Sequence, residues 1–231
     1  MELIVIIILS VILIITISTI FKINLKKVKE IGMEERLNKL SEKYPSNTDI
    51  CKDILKKLKN EEVKIEEDKE ATTTLYLALT NKIFIADTKN SYTRIQTMAH
   101  ECLHSIQDRR ILMFNFIFSN IYIIYFVAII LLTIFKVLNN SMFYLCIFLL
   151  LSMIYYMVRA FLENDAMIKA KYLAKEYMQE KNISTHEEID EIIDGFTRLN
   201  DEGIKAVNYQ LLLEILIKVI IFSVVALIFL P

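Results

Sequence analysis

The stretch "MAHECLHSIQ", Met98 to Gln107, holds two of the chain's three histidines, four residues apart with a glutamate directly after the first. In a helix, at about 100° per residue, His100 and His104 fall within about 40° of each other, one turn apart. Both imidazoles then reach a single ion. Glu101 lies beside the pair, where its carboxylate meets a water rather than the metal. This is the HExxH arrangement, two zinc ligands and a general base on one helix. A catalytic zinc takes three protein ligands and keeps a position open, so a further ligand is expected on a separate element. The segment "RAFLENDAMIKA" offers Glu163, with Ala166 and Ala170 on nearly the same helix face and small enough for two helices to approach closely. Read locally, Glu163, Asp165, Lys169 and Lys171 equally describe a solvated charged face. The choice between the two readings lies in the topology.

The chain has 231 residues, 55% of them hydrophobic, with only 3 glycines and 2 prolines. That is too apolar and too poor in turn residues for an ordinary soluble domain. Four stretches are long and apolar enough to span a bilayer: Leu3 to Ile20, Ile111 to Phe135, Met142 to Val158 and Leu211 to Leu230. The first is expected to be a retained anchor, since Met1 and Glu2 precede it in place of a basic region and "STIFKINLKK" has no small-residue cleavage site. Basic residues gather after the first span (Lys22, Lys26, Lys27, Lys29), before the second (Arg109, Arg110) and after the third (Arg159, Lys169, Lys171, Lys175), while the turn between spans two and three holds only Lys136. The positive-inside rule puts both ends and that turn outside and everything else in the cytoplasm. Two crossings then separate His104 from Glu163 and return them to the same face; an odd number would have parted them. Glu214 and Lys218, near the start of the fourth span, are spaced to pair on one helix face and to snorkel to the interface.

The elements between the spans follow from periodicity. Glu34 to Lys59 has helical spacing broken by the turn signal "YPSNTD". The stretch "TTTLYLALTNKIFIAD" predicts a small antiparallel pair, Thr73 to Ala78 with Lys82 to Ala86. Helix resumes through the HExxH segment, and again from Ala160 to about Gln179, and Ser184 with Glu187 have capping-box spacing before a further helix. The expected organisation is an anchor over 1–21, a cytoplasmic segment with the HExxH helix over 22–110, a transmembrane hairpin over 111–158, a cytoplasmic helical segment over 159–209 and a last span over 210–231. A formal net charge of −1 gives no sign of nucleic-acid binding. Cys51, Cys102 and Cys146 are an odd set without CxxC spacing, which argues against a disulfide framework and for a reducing compartment. Cys102 is expected to point away from the histidine pair and pack as a small apolar residue, and His186, in a capped first turn, to be exposed.

The residues "NKIFIADTKNSYTRIQTMAHECLHSIQ", followed by two spans and "RAFLENDAMIKA", resemble the YugP-type neutral zinc metallopeptidases, bacterial membrane proteins of the gluzincin class. The likeness extends from Lys82 to about Tyr209. It implies one Zn2+ per chain held by His100, His104 and Glu163, Glu101 as the catalytic carboxylate, and peptide hydrolysis. The expected fold is a mainly α membrane protein with about four transmembrane helices and a cytoplasmic gluzincin-like zinc-protease core containing a small antiparallel β element. The chain departs from the family pattern at Leu103 and Ser105, where Gly and Ala are usual. It also has Met167 four residues after Glu163, where many gluzincins place an aspartate that orients a histidine. Asp165 or another group must then support the ligands.

The expected reaction is metal-assisted amide hydrolysis with Glu101 shuttling the proton. Tyr209 is a candidate for stabilising the oxyanion, beside its commoner role as an interfacial anchor. The strand Lys82 to Ala86 is a candidate edge for an extended peptide, beside its reading as a structural hairpin. A site close to the headgroups favours peptide or protein substrates associated with the lipid bilayer. Two rivals stand against this, a catalytically inactive zinc-binding membrane scaffold and a metal carrier. The spans contain Asn115, Asn120 and Cys146 but no His or Asp, which counts against a transport path. Oligomeric state is not legible.

Overall fold

The computed structural model describes residues 1–22, 30–68, 71, 73–86 and 91–230. Lys26, Lys27 and Lys29 of the first basic cluster lie outside the described residues. The elements in chain order are α1 (Glu2–Phe21), α2 (Glu35–Glu42), α3 (Asn47–Lys57), β1 (Lys64–Asp68), β2 (Leu75–Leu77), β3 (Lys82–Ala86), α4 (Arg94–Ile106), α5 (Arg109–Ile134), α6 (Ser141–Lys181) and α7 (His186–Phe229). The protein is mainly helical with a small mixed sheet, and α1, α5, α6 and α7 are long and apolar enough to cross a membrane. The chain divides into an apolar unit (Met1–Ile23, Phe114–Phe161, Lys205–Pro231) and a polar unit (Asn24–Met113, Leu162–Ile204).

At two of the expected boundaries the helix runs on without a break, although the units still divide nearby, at Phe161/Leu162 and Ile204/Lys205. The third span and the helix after it are one 41-residue helix, and the predicted helix after "STH" and the fourth span are one 44-residue helix. Neither junction contains a proline, and the two glycines of α7, Gly195 and Gly203, weaken a helix without breaking it. The capping box also sits one residue later than predicted. Thr185 and Glu188, not Ser184 and Glu187, exchange the reciprocal bonds, at 3.1 and 3.2 Å. His186 is exposed at the start of α7.

In the apolar unit the core is built on aromatic rings. Tyr122 stacks on Phe148 and Tyr155, with centroids 5.3 and 4.8 Å away, and Ile129, Leu145, Val219 and Phe222 complete the cluster. Two buried hydroxyls of this unit fold back onto helix carbonyls, Ser152 onto Phe148 and Thr133 onto Ile129. Such back-bonding satisfies a polar atom where no water can.

In the polar unit α3 is capped by Ser46, whose Oγ accepts the Asp49 N–H at 3.2 Å. Its buried face is Ile50, Cys51, Ile54 and Leu55, the i, i+4 pattern expected of a half-buried helix. These pack with Ile95, Met98, Ala99 and Cys102 of α4, Ala166, Ala170 and Ala174 of α6, and Phe196 of α7. Phe196 stacks on Tyr92, centroids 5.6 Å apart. Gly195 permits that approach, because a Cβ there would lie 2.5 Å from Leu37 Cδ1.

The sheet differs from the predicted antiparallel pair. It has three strands in the order β1-β3-β2, with β1 parallel and β2 antiparallel to β3. β1 reads "KIEED", one apolar residue among charges, and has no hydrophobic alternation to reveal it. Its partner β3 holds it by register, Ile65 against Ile83, with Lys82 and Glu66 paired at 2.7 Å. Consequently Lys82–Ala86 is the central strand, hydrogen-bonded on both sides, and is not an edge for a peptide.

Candidate metal centre

The HExxH segment is helical because its inner face is wholly buried: Ile95, Met98, Ala99 and Cys102 are completely covered. No side chain caps its start. Arg94, itself buried, anchors that end through Asn47 Oδ1 at 2.7 Å and the carbonyls of Ser41, Tyr44 and Pro45. Rotation of α4 is thereby set, and His100 and His104 emerge on its flank, 19% and 12% exposed.

Glu163 of α6 meets them there. Its Oε2 lies 3.5 Å from His100 Nε2 and 3.6 Å from His104 Nε2, and the two Nε2 atoms are 3.0 Å apart. The three ligand atoms lie within 4.8 Å of one another, a group that can hold a metal ion. The donor set passes a geometric test of fit. A point equidistant from three atoms so spaced is about 2.0 Å from each, the length of a Zn–N or Zn–O bond. Two imidazole lone pairs at this separation also repel unless a cation or proton lies between them.

Glu101 is beside this group without belonging to it. It is 7% exposed; its Oε1 stands 4.0 Å from His100 Nε2 and its Oε2 accepts the backbone N–H of Tyr76 at 2.7 Å. Burial raises its pKa above the ordinary carboxylate value, a bias that His100, His104 and the Tyr76 N–H oppose without cancelling. Burial alone would depress His104, but Glu163, Glu101 and Gln107 outweigh it and raise that pKa.

Gln107, directly after α4, touches both helices. Its Oε1 is 2.8 Å from His104 Nδ1, and its amide nitrogen donates to the Leu162 carbonyl at 2.8 Å and to Asp165 Oδ2 at 3.3 Å. Lys169, 2.5 Å from Asp165, is the main cause of that carboxyl's lowered pKa. Asp165 therefore hydrogen-bonds to Gln107 and acts on His104 directly only through its charge. The sequence signal for Gln107 is its spacing, three residues after His104, which puts both on one side of the chain.

Three further placements matter. Cys102 faces the core as expected, and its Sγ lies 3.5 Å from Cys51 Sγ, a proximity the sequence does not announce; all three cysteines are free. Burial, with Cys51 alongside, pushes the Cys102 thiol well above its usual pKa, which leaves it protonated and unreactive. Tyr76, on β2, was not singled out by its sequence. Tyr209 belongs to the apolar unit, whereas His100, Glu101, His104 and Glu163 all belong to the polar one.

Comparison with family models, with curated proteins and with solved structures returns no match.

Proposed function

We propose that this chain is a zinc-dependent endopeptidase of the YugP-type gluzincin kind, acting at the cytoplasmic face on membrane or membrane-proximal proteins. One observation carries the reading: a two-histidine, one-glutamate ligand set of bonding dimensions with a buried, unligating glutamate one residue from the first histidine. His100, His104 and Glu163 would hold the zinc ion, which when bound would supply Lewis acidity to the scissile carbonyl and the attacking water. Glu101 would take a proton from the attacking water on Oε1, the oxygen not engaged by Tyr76, as the water's oxygen bonds to the scissile carbonyl carbon, and would deliver it to the departing amine as the C–N bond breaks.

With β3 enclosed by β1 and β2, the outer strands are the edges, and β2, whose backbone meets Glu101, is the one offered to an extended peptide. Tyr76 directs its N–H away from β3 and toward Glu101, so a chain laid along this edge runs past the general base. Leu75 and Leu77 are exposed there and favour apolar segments. Cytoplasmic orientation rests on the distribution of lysine and arginine around the apolar helices.

The test is zinc content of detergent-purified protein together with cleavage of an unfolded membrane-protein substrate. About one zinc per chain, lost in His104→Ala and Glu163→Gln, with cleavage abolished but zinc retained in Glu101→Gln, is the expected pattern. Zinc retained without any cleavage by the wild type, and no phenotype from Glu101→Gln, makes the chain a zinc-binding scaffold.

A further inference from the structure

We propose that Gln107 is the positioning residue of the metal centre, selecting the tautomer of His104 and fixing the backbone beside Glu163 through one side-chain amide. The inference rests on the reading that the triad binds a metal, and it concerns how the chain prepares the triad before any metal arrives.

A glutamine amide has an acceptor end and a donor end, and its orientation here is determined by its neighbours. The Leu162 carbonyl can only accept, and the Asp165 carboxylate, paired with Lys169, also only accepts. Both lie at hydrogen-bond distance from the amide nitrogen, so the NH2 end faces α6. Turning the amide over would set its oxygen against two acceptors. The oxygen must therefore face His104, 2.8 Å from Nδ1, and an oxygen there requires Nδ1 to carry the proton. In the neutral ring Nε2 is left with its lone pair, and Nε2 is the atom that faces His100 and Glu163.

The same amide acts on the other ligand helix. Leu162 immediately precedes Glu163, so the bond to its carbonyl pins the α6 backbone one residue from the carboxylate ligand. Asp165 and Lys169 continue the chain of contacts, which runs Lys169, Asp165, Gln107, His104. The aspartate absent at Met167 is thus replaced by a residue from the end of the HExxH helix itself. A neutral amide makes His104 less electron-rich than a carboxylate partner would, while giving the same directional hold.

The experiment uses the full chain in detergent. With only three histidines, 15N labelling at histidine distinguishes the tautomers directly in metal-free protein. In the wild type His104 is expected to show protonated Nδ1 and bare Nε2; in Gln107→Leu it should lose that preference. Cobalt(II) titration should give about 10- to 100-fold weaker binding in Gln107→Leu, with an altered visible spectrum and unchanged stoichiometry at saturation. Asp165→Asn should weaken binding less, and it stands in for Gln107→Leu should that variant fail to fold. Wild-type tautomer, affinity and spectrum in Gln107→Leu, or wild-type affinity in Asp165→Asn when it is the stand-in, overturn the inference while leaving the metal reading intact. If the wild type binds no cobalt, the metal reading falls and takes this inference with it.

Discussion

Each unit of the molecule shelters a cation, and they do so by different means. In the polar unit Arg94 is 4% exposed, and every acceptor around its guanidinium is neutral: Asn47 Oδ1 and the carbonyls of Ser41, Tyr44 and Pro45. In the apolar unit Lys218 pairs with Glu214 one turn back on α7 and lies over the rings of Tyr122, at 4.7 Å, and Tyr155, at 6.0 Å. The reason lies in the backbone. Where α2 ends and turns into α3, the last carbonyls have no intrahelical partner and converge as a negative pole. Inside long apolar helices every carbonyl is already bonded, so a buried ammonium turns to π faces and to a carboxylate on its own helix. Lys218 and Glu214 pair as their spacing predicts. Rather than reaching past the end of its helix, Lys218 is held over Tyr122, which sits halfway along α5.

Three of Arg94's four acceptors, the carbonyls of Ser41, Tyr44 and Pro45, belong to the main chain and cannot be removed by mutation. Arg94→Met should therefore leave several buried acceptors unmet and cost at least about 3 kcal/mol, read as lost hydrogen-exchange protection across α4. A change below about 1 kcal/mol would abolish the contrast. Removing metal with a chelator should come next in size. A ligand at about 100 times its Kd contributes about 2.7 kcal/mol, so α4 should lose protection while the Tyr122 to Thr133 stretch of α5 keeps its own. Equal losses in both stretches would show that the units do not respond separately.

Gly195→Ala should cost about 1–2 kcal/mol, the overpacking against Leu37 and Tyr92 exceeding the gain of about 1 kcal/mol in helix propensity. Gly203→Ala, facing only the movable Met167 methyl, provides the control and should be neutral or stabilising in the same thermal melt. The smallest effect is expected from removing both charges of the apolar unit. Glu214→Gln combined with Lys218→Met should shift stability by less than about 1 kcal/mol, because an ion pair replaced whole by uncharged groups leaves nothing unmet. A loss as large as that of Arg94→Met would mean that the aromatic faces hold the cation as firmly as carbonyls do.

The HExxH geometry is legible because it is local: two histidines and a glutamate within five residues need only a helical repeat to converge. Glu163 is less so, since its place depends on the count of apolar spans and on alanines whose burial is a property of the packed core. β1 is invisible in its own residues because its stability comes from β3. Placing β1 alongside turned β3 from an edge into a centre and left β1 and β2 as the two edges. Gln107 carries the spacing of a partner for His104, but its two ends become distinguishable only when Leu162 and Asp165 approach.

Composition and periodicity alone determined that most of the chain is helical, that four stretches suit a bilayer and that one helix presents two imidazoles on one side. These follow from transfer free energies and from a fixed helical repeat, which act on residues near in sequence. Tertiary structure alone decided other partners: which strand is central, which thiols meet, and which way an amide faces a histidine. Those outcomes join residues about 50 positions or more apart in several cases, Cys51 to Cys102 and Gln107 to Leu162 among them. Such contacts are fixed by how faces pack and by which buried polar atoms must be satisfied, quantities that no local pattern of residues contains.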